Sequence, residues 1–357
     1  MIPLNFEIQS DEPEPFVARL TREVGSGPAD FVCRSQSESR SLWCGDHGLL
    51  EIVHNGENIE GDIMLVDPEN GRADRVIRAT SKHNTLLVTE QCDQLCVMCS
   101  QPPKKTHLDR FKLFEEACLL APAGMVIGIS GGEPTLHMDA LLGMIESVLR
   151  ERSDLSFHIL SNAQHFEQHH ILRLCDPVYR NVVWGIPLYS SDPVVHDTVV
   201  AKPGAYERLI SSFEHLLLAA ARIELRTVLT ATTVPGLSPL SRFIARNLPH
   251  IEQWSLMGLE NIGFAKNRWD DLYADLNTDF SDLAAAIDWA QLHGIATKIF
   301  NLPLCHIPQH YRSFAVASIS DWKQRFGKSC VSCRAKRDCS GFFEWHPDKL
   351  VDEVTPL

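Results

Sequence analysis

No apolar run in this chain reaches the roughly 18 residues needed to cross a bilayer. The stretch MIPLNFEIQSDEPEP lacks the basic start and apolar centre of a secretory signal, so a cytoplasmic protein with no membrane partner is expected. Positive charge is scarce: 33 Lys plus Arg stand against 46 Asp plus Glu, a net charge of -13. That balance argues against a broad nucleic-acid surface, and no nucleic-acid partner is expected. Repeats, low-complexity tracts and linkers are also missing. What remains is 357 residues, 44% of them apolar, enough for one large core with small additions.

Cysteine is what the chain has in plenty. Eleven in a cytoplasmic protein need a reason, because disulfides are rare where thiols are kept reduced. Seven fall into two groups, Cys92, Cys96 and Cys99, then Cys305, Cys330, Cys333 and Cys339, and close spacing of this kind reads as metal binding. Cys33, Cys44, Cys118 and Cys175 are scattered; Cys118 and Cys175 sit in helical patterns and read as small core hydrophobes.

From Asn84 onward, β-branched runs alternate with amphipathic stretches, the pattern of βα units on a parallel sheet. Strands are predicted at 85–89, 125–130, 156–160, 182–188, 223–230 and 253–257, with a further short one at 296–300. Between them FKLFEEACLLA, ALLGMIESVLR, FEQHHILRLC, YERLISSFEHLLLAA, LSRFIARNL and FSDLAAAIDWAQLHG carry helical spacing. The expected fold is α/β: a partial (βα)6 TIM-like barrel over 81–300, with a small β-rich N-terminal appendage over 1–80 and a cysteine-rich C-terminal extension over 301–357. The first 80 residues show short alternating segments between turns such as GSGPAD, NGEN and DPENGR, and would serve substrate or partner recognition. In such folds active sites gather at the C-terminal ends of the strands.

The spacing C-x3-C-x2-C follows the first of these strands. Three thiolates on one tight loop suit an iron–sulfur cluster with one open iron; a structural zinc would need a fourth ligand, for which His107 is a candidate. After the second strand comes Ser130-Gly131-Gly132-Glu133-Pro134, where two glycines permit close backbone approach and proline stiffens the exit. The third strand ends in Ser161-Asn162-Ala163, and the fourth runs into Tyr189-Ser190. Arg226 lies in a strand that should read almost wholly apolar if buried on both faces, so it needs an anion, either a ligand carboxylate or a neighbouring acidic side chain. The four later cysteines make a full coordination set that fits tetrahedral zinc and a four-iron cluster alike. Lys323, Arg325, Lys328, Arg334, Lys336 and Arg337 add positive charge around them or form a solvated face.

The cysteine loop after a first strand, with Gly131-Gly132-Glu133-Pro134 one βα unit later, resembles the radical S-adenosylmethionine superfamily over about residues 84 to 300. The resemblance implies a [4Fe-4S] cluster on Cys92, Cys96 and Cys99. It also implies S-adenosylmethionine bound near Met98, Gly131, Gly132, Glu133, Pro134, Ser161, Asn162, Ser190 and Arg226, and cleavage of that cofactor to a radical that takes hydrogen from the substrate. Met98 stands where the family often has an aromatic residue near adenine, and Met257 to Gly263 is similar to its adenine-contacting segment. For Cys305, Cys330, Cys333 and Cys339 the resemblance favours a second, auxiliary [4Fe-4S] cluster. LLVTEQCDQLCVMCSQPPK, NLPLCHIP, SISDWK and CVSCRAKRDCSGFF resemble most closely the His-Xaa-Ser system maturases, the member with the short C-terminal extension. This implies a small ribosomally made peptide or repeat protein as substrate, a second radical enzyme of the same system as partner, and an electron donor such as flavodoxin or ferredoxin. A radical enzyme acting on a small metabolite, or a non-catalytic cysteine-rich redox sensor, are the alternatives. Substrate-side catalytic residues are not assigned; His196, Asp197 and His306 are expected in mouth loops.

Overall fold

A computed structural model describes residues 2–23 and 27–357; Gly25 and Ser26 of the predicted GSGPAD turn lie outside the described residues. The chain divides into two compact units, one of Met1–Thr89, Leu108–Ser130 and His137–His158, the other of Glu90–His107, Gly131–Leu136 and Ile159–Leu357. Among the described residues no helix is long and apolar enough to cross a membrane.

In the first unit, β1 (Asn5–Ser10), β2 (Phe16–Thr21), β3 (Asp30–Gln36), β4 (Arg40–Gly45), β5 (Gly48–Val53), β6 (Ile63–Asp67) and β7 (Arg72–Ile77) form a closed barrel in the order β1-β5-β4-β3-β2-β6-β7. The expected β-rich appendage is therefore a barrel with its own core. Period-two alternation turns Phe6, Ile8, Leu20, Phe31, Trp43, Leu50 and Ile52 inward, and closure leaves no unpaired strand edge. All contacts between neighbouring strands are antiparallel except β2 with β3. Arg75 and Asp62 make a buried pair, Nε to Oδ2 2.6 Å. The unit also holds β8 (Asn84–Thr89), α1 (Phe111–Leu119), β9 (Val126–Gly131), α2 (Met138–Glu151) and the start of β10 (Ser156–Leu160). α1 buries Phe111, Phe114, Ala117 and Cys118 on one stripe, as the spacing predicts, and packs against β2, β6 and α2.

The second unit continues with α3 (Ile171–Leu174), β11 (Val182–Pro187), α4 (Pro193–Val200), α5 (Ala205–Leu218), β12 (Arg222–Leu229), α6 (Leu237–Asn247), β13 (Gln253–Gly258), α7 (Trp269–Leu272), α8 (Ser281–Leu292), β14 (Thr297–Phe300), β15 (Gln324–Arg325), β16 (Phe342–Phe343) and α9 (Asp348–Asp352). β11 to β14 lie in chain order and are parallel, with Pro187 opposite Arg226, Arg226 opposite Ser255, and Ser255 opposite Lys298. β14 is a seventh strand beyond the six of the (βα)6 reading. One sheet face is buried throughout by Trp184, Ile186, Ile223, Leu225, Thr227, Trp254, Leu256, Thr297 and Ile299, whereas Pro187, Arg226, Met257, Lys298 and Phe300 on the other face are partly exposed.

Two local expectations fail. FEQHHILRLC forms only a short 3-10 turn and the four residues of α3, because Pro177 follows closely and Asp176 caps a new turn there through Val178 N, 3.0 Å. Its Leu172 and Cys175 are exposed, so Cys175 is no core residue. α4 was not expected, although Asp192-Pro193 is an N-cap followed by proline at the first helical position; Asp192 Oδ1 accepts from Val194 N at 2.8 Å.

Candidate metal and cofactor site

The predicted site residues all fall in the second unit. The cysteine loop leaves β8 and is pinned from several elements. Leu95 N donates to Val200 O at 3.2 Å and Val97 N to Val199 O at 2.9 Å, so the last carbonyls of α4, which have no partner within the helix, accept from the loop. Arg268 Nη1 donates to Val97 O at 3.0 Å, and Phe264 N to Cys99 O at 2.8 Å. Two glycines make this approach possible. A Cβ on Gly132 would lie 2.0 Å from Gln91 O, and one on Gly263, whose φ is +60°, would lie 2.4 Å from Cys99 O.

Glu133 is the tie between the glycine turn and the end of β10. Its backbone N–H donates to Gln91 O at 2.7 Å. Its side chain is 0% exposed: Oε1 accepts from Thr135 N at 2.9 Å, Thr135 Oγ1 at 2.5 Å and Ser161 Oγ at 2.8 Å, and Oε2 from Asn162 N at 2.5 Å. Burial raises its pKa, opposed by these bonds. The next residue, Ala163, has φ 54°. The backbone there does need the left-handed conformation, so alanine is a strained choice where glycine would be free.

Burial pushes the Cys92 thiol up to about 11 and Cys96 up to about 12, with Cys99 also raised. Neighbouring thiols add to the shift at Cys92 and Cys96. The polar atoms around them are few: Gln94 N donates to Cys92 Sγ at 3.5 Å, and Cys99 Sγ donates to Gln101 O at 3.0 Å. Three half-buried thiols on one clamped loop suit a cationic metal centre, which would replace the protons. Among the described residues, no three His, Cys, Asp or Glu converge tightly enough for a single ion; a four-iron cube is wider than one ion and meets its thiolates further apart.

The other predicted residues take varied places. Met98 is buried with Tyr189, Val199, Val200, Ala205, Leu259, Ala265 and Leu272, against Cys96 and Val97; it packs the loop's underside. Ser190 is buried, and its Oγ accepts from Asp192 N at 3.0 Å, ahead of α4. Arg226 Nη1 reaches Glu224 at 3.0 Å and 3.2 Å, and the Glu224 carboxylate also accepts from Ser255 Oγ. Of the two anions considered for Arg226, the neighbouring side chain is therefore present. Thr135 and the Val199-Val200 pair went unnoticed in the sequence; only the Asp192-Pro193 cap pointed toward the latter.

Cys305, Cys330, Cys333 and Cys339 are gathered by the C-terminal segment. Burial pushes Cys305 up to about 12, with Cys339, Cys330 and Cys333 adding to it in that order. Cys339 Sγ accepts from Leu304 N at 3.3 Å and Gly341 N at 3.4 Å, and Cys333 Sγ from Leu357 N at 3.4 Å. Such N–H donors stabilise thiolates. Of the surrounding cations, Lys323 pairs with Glu260 at 3.3 Å and Arg325 with Asp348 at 2.8 Å, while Lys336 lies over the Phe326 ring. Asn261 Nδ2 donates to Trp345 O at 3.2 Å, so the extension is fastened to the Met257–Gly263 segment.

No protein-family profile and no curated protein matches the sequence. Among solved structures, the chain is similar to Streptococcus suis SuiB bound to S-adenosylmethionine, with 14% identity, 60% of this chain and 49% of SuiB covered, and a TM-score of 0.49. It thus spans about half the length of SuiB. It is also similar to anSMEcpe with bound AdoMet, at 13% identity over 60% of this chain and 62% of that one, TM-score 0.48. A radical SAM methyltransferase from Sphaerobacter thermophilus is similar at 12% identity over 76% and 77% of the two chains, TM-score 0.44.

Proposed function

We propose that this chain is a radical S-adenosylmethionine enzyme that modifies a peptide. The observation that carries the reading is the joining of its three motifs: the Cys92, Cys96 and Cys99 loop meets the Gly131-Gly132-Glu133-Pro134 turn at Gln91 O, and Glu133 in turn holds Ser161 and Asn162. When bound, a [4Fe-4S] cluster supplies one electron to S-adenosylmethionine, whose cleavage gives a radical able to take hydrogen from an unactivated C–H bond. The three thiolates would hold the cluster, and the turn's backbone with Ser161 and Asn162 would border the cofactor. Glu133 acts through its bonds, fixing the turn against β10. Arg226 would reach the cofactor carboxylate only by sharing itself with Glu224, which it already pairs with.

The finer reading is maturation of a His-Xaa-Ser repeat protein alongside a second radical enzyme, with Cys305, Cys330, Cys333 and Cys339 holding an auxiliary cluster and a flavodoxin or ferredoxin supplying electrons. Anaerobic reconstitution tests the class. About eight irons per chain and release of 5'-deoxyadenosine are expected, since each cluster carries four irons. If a loaded, reduced protein cleaves no cofactor, the enzymatic reading falls, as the redox-sensor alternative expects. Mass spectrometry of a co-expressed His-Xaa-Ser repeat protein, with and without Cys96→Ala, tests the substrate. A mass change that needs Cys96 supports the peptide reading, and an unchanged peptide directs attention to a small metabolite.

A further inference from the structure

Asp93 lies inside the cysteine loop, beside Cys92, yet its side chain faces the end of β10 and the junction of α4 and α5. Its Oδ1 accepts from Asn162 Nδ2 at 2.8 Å. Its Oδ2 pairs with Lys202 Nζ and lies 3.2 Å from His165 Nε2. Each partner is itself held. Lys202 follows Ala201, whose φ is 52°; its N–H donates to Asp197 O at 3.0 Å. Asp197 also receives Gly204 N at 2.5 Å and Tyr206 N at 2.8 Å. Asn162 is fixed at three atoms: its backbone N–H on Glu133, its Oδ1 accepting from Gln164 N at 3.0 Å, and its Nδ2 on Asp93.

These contacts settle which way the Asn162 amide points. A backbone N–H demands an acceptor, so Oδ1 faces Gln164; a carboxylate offers only acceptors, so Nδ2 faces Asp93. In that orientation Nδ2 also stands 4.0 Å from Cys92 Sγ. The amide is thus locked between the cysteine loop and the residues that border the cofactor.

We infer that Asp93 is a positioning residue, which orients the Asn162 amide and couples it, through Lys202, to the rigid junction after α4. This rests on the radical S-adenosylmethionine reading and adds to it a residue outside the cysteine ligands. In Asp93→Asn one acceptor remains: the Lys202 ammonium, which only donates, holds the amide oxygen at the Oδ2 position, so the NH2 group falls against Asn162 Nδ2, donor faces donor, and the Asn162 amide loses its fixed acceptor.

The test uses the full chain, reconstituted anaerobically, with S-adenosylmethionine binding followed through the change it causes in the electron paramagnetic resonance signal of the reduced cluster. Asp93→Asn should load iron as the parent does and bind S-adenosylmethionine about tenfold more weakly, equivalent to about 1.4 kcal/mol. Asp93→Glu, which keeps the carboxylate, should recover to within about threefold of the parent on the same scale. In an Asn162→Ala background, Asp93→Asn should have no further effect, because the group it orients is gone. Parent-like affinity in Asp93→Asn, or the same tenfold loss with Asn162 already removed, overturns the inference. Should Asp93→Asn lose iron, affinity per loaded cluster in Asp93→Glu decides: recovery supports the assignment and a tenfold deficit refutes it. A parent that loads iron but binds no S-adenosylmethionine sinks the proposed function and this inference together, which separates the two failures.

Discussion

Replacing Glu133 by glutamine keeps its shape and removes one acceptor, and the structure gives the consequence. Oε1 takes three donors, so the amide oxygen of Glu133→Gln settles there and the NH2 group falls at the Oε2 position. That places a donor against Asn162 N, which lies 2.5 Å from Oε2 in the native protein. A hydrogen bond to a charged group, worth roughly 1.5–3 kcal/mol, is lost, and a buried N–H is left facing another donor at a cost of about 1–3 kcal/mol. Relief of burying a charge offsets part of this. A net loss of roughly 2–4 kcal/mol is expected, a large share of the stability of an ordinary domain. Urea unfolding under anaerobic conditions, without added iron, reads it directly, and iron loading reads its effect on the neighbouring loop. If Glu133→Gln unfolds within about 0.5 kcal/mol of the parent, the ordinary range for an inconsequential substitution, the turn and the end of β10 are not joined through this carboxylate.

Gly132→Ala puts a methyl group 2.0 Å from the main-chain oxygen of Gln91, where nothing flexible can yield. Loop or turn must move, at a cost of roughly 1–3 kcal/mol or more; iron bound after reconstitution should fall by about four per chain, one cluster's content, and full loading would refute the close approach. His196 is buried neutral, its pKa lowered to about 4 by burial against a small opposing effect of Asp197. The unfolded chain binds a proton near pH 6.5, so the stabilisation is complete above that, declines as pH falls, and is exhausted near pH 4. The loss between pH 7.5 and pH 5 is about 2 kcal/mol at this site. His196→Gln should show a correspondingly shallower pH dependence in urea unfolding, and parallel curves would sink the assignment.

The strands and most helices were legible because burial leaves a periodic trace: period two in LLEIVHN, helical spacing in FKLFEEACLLA. Closure of the first seven strands was not, since it depends on β1 meeting both β5 and β7, pairings far apart in sequence. The cysteine loop and the glycine turn were legible as residues with few other uses at that spacing. What joins them was hidden. Ser161 and Asn162 reach Glu133 from 28 and 29 residues away, and no local pattern marks a serine as the donor to a distant carboxylate. Arg226 shows the limit from the other side: its need for an anion was readable, but Glu224 two residues earlier answers it.

The loop's shape belongs to the fold itself. Gly132 and Gly263 press backbone onto it from two sides, the last carbonyls of α4 at Val199 and Val200 accept from it, and Met98 fills the space beneath. Gathering three thiols from a flexible chain would cost about 1–2 kcal/mol of backbone entropy per residue ordered; here the packing and backbone bonds around the loop already meet that cost. Opposition to metal is left in the protons. Thiols raised to about 11 and 12 by burial are protonated at neutral pH, and each must release its proton to become a ligand. The same partial burial that holds the protons on the free thiols strengthens the attraction between thiolate and cation once they are gone, because both act in the same partly screened surroundings. The three sulfurs therefore suit a cationic centre wide enough to span them, on a loop whose backbone Gly132 and Gly263 hold in place.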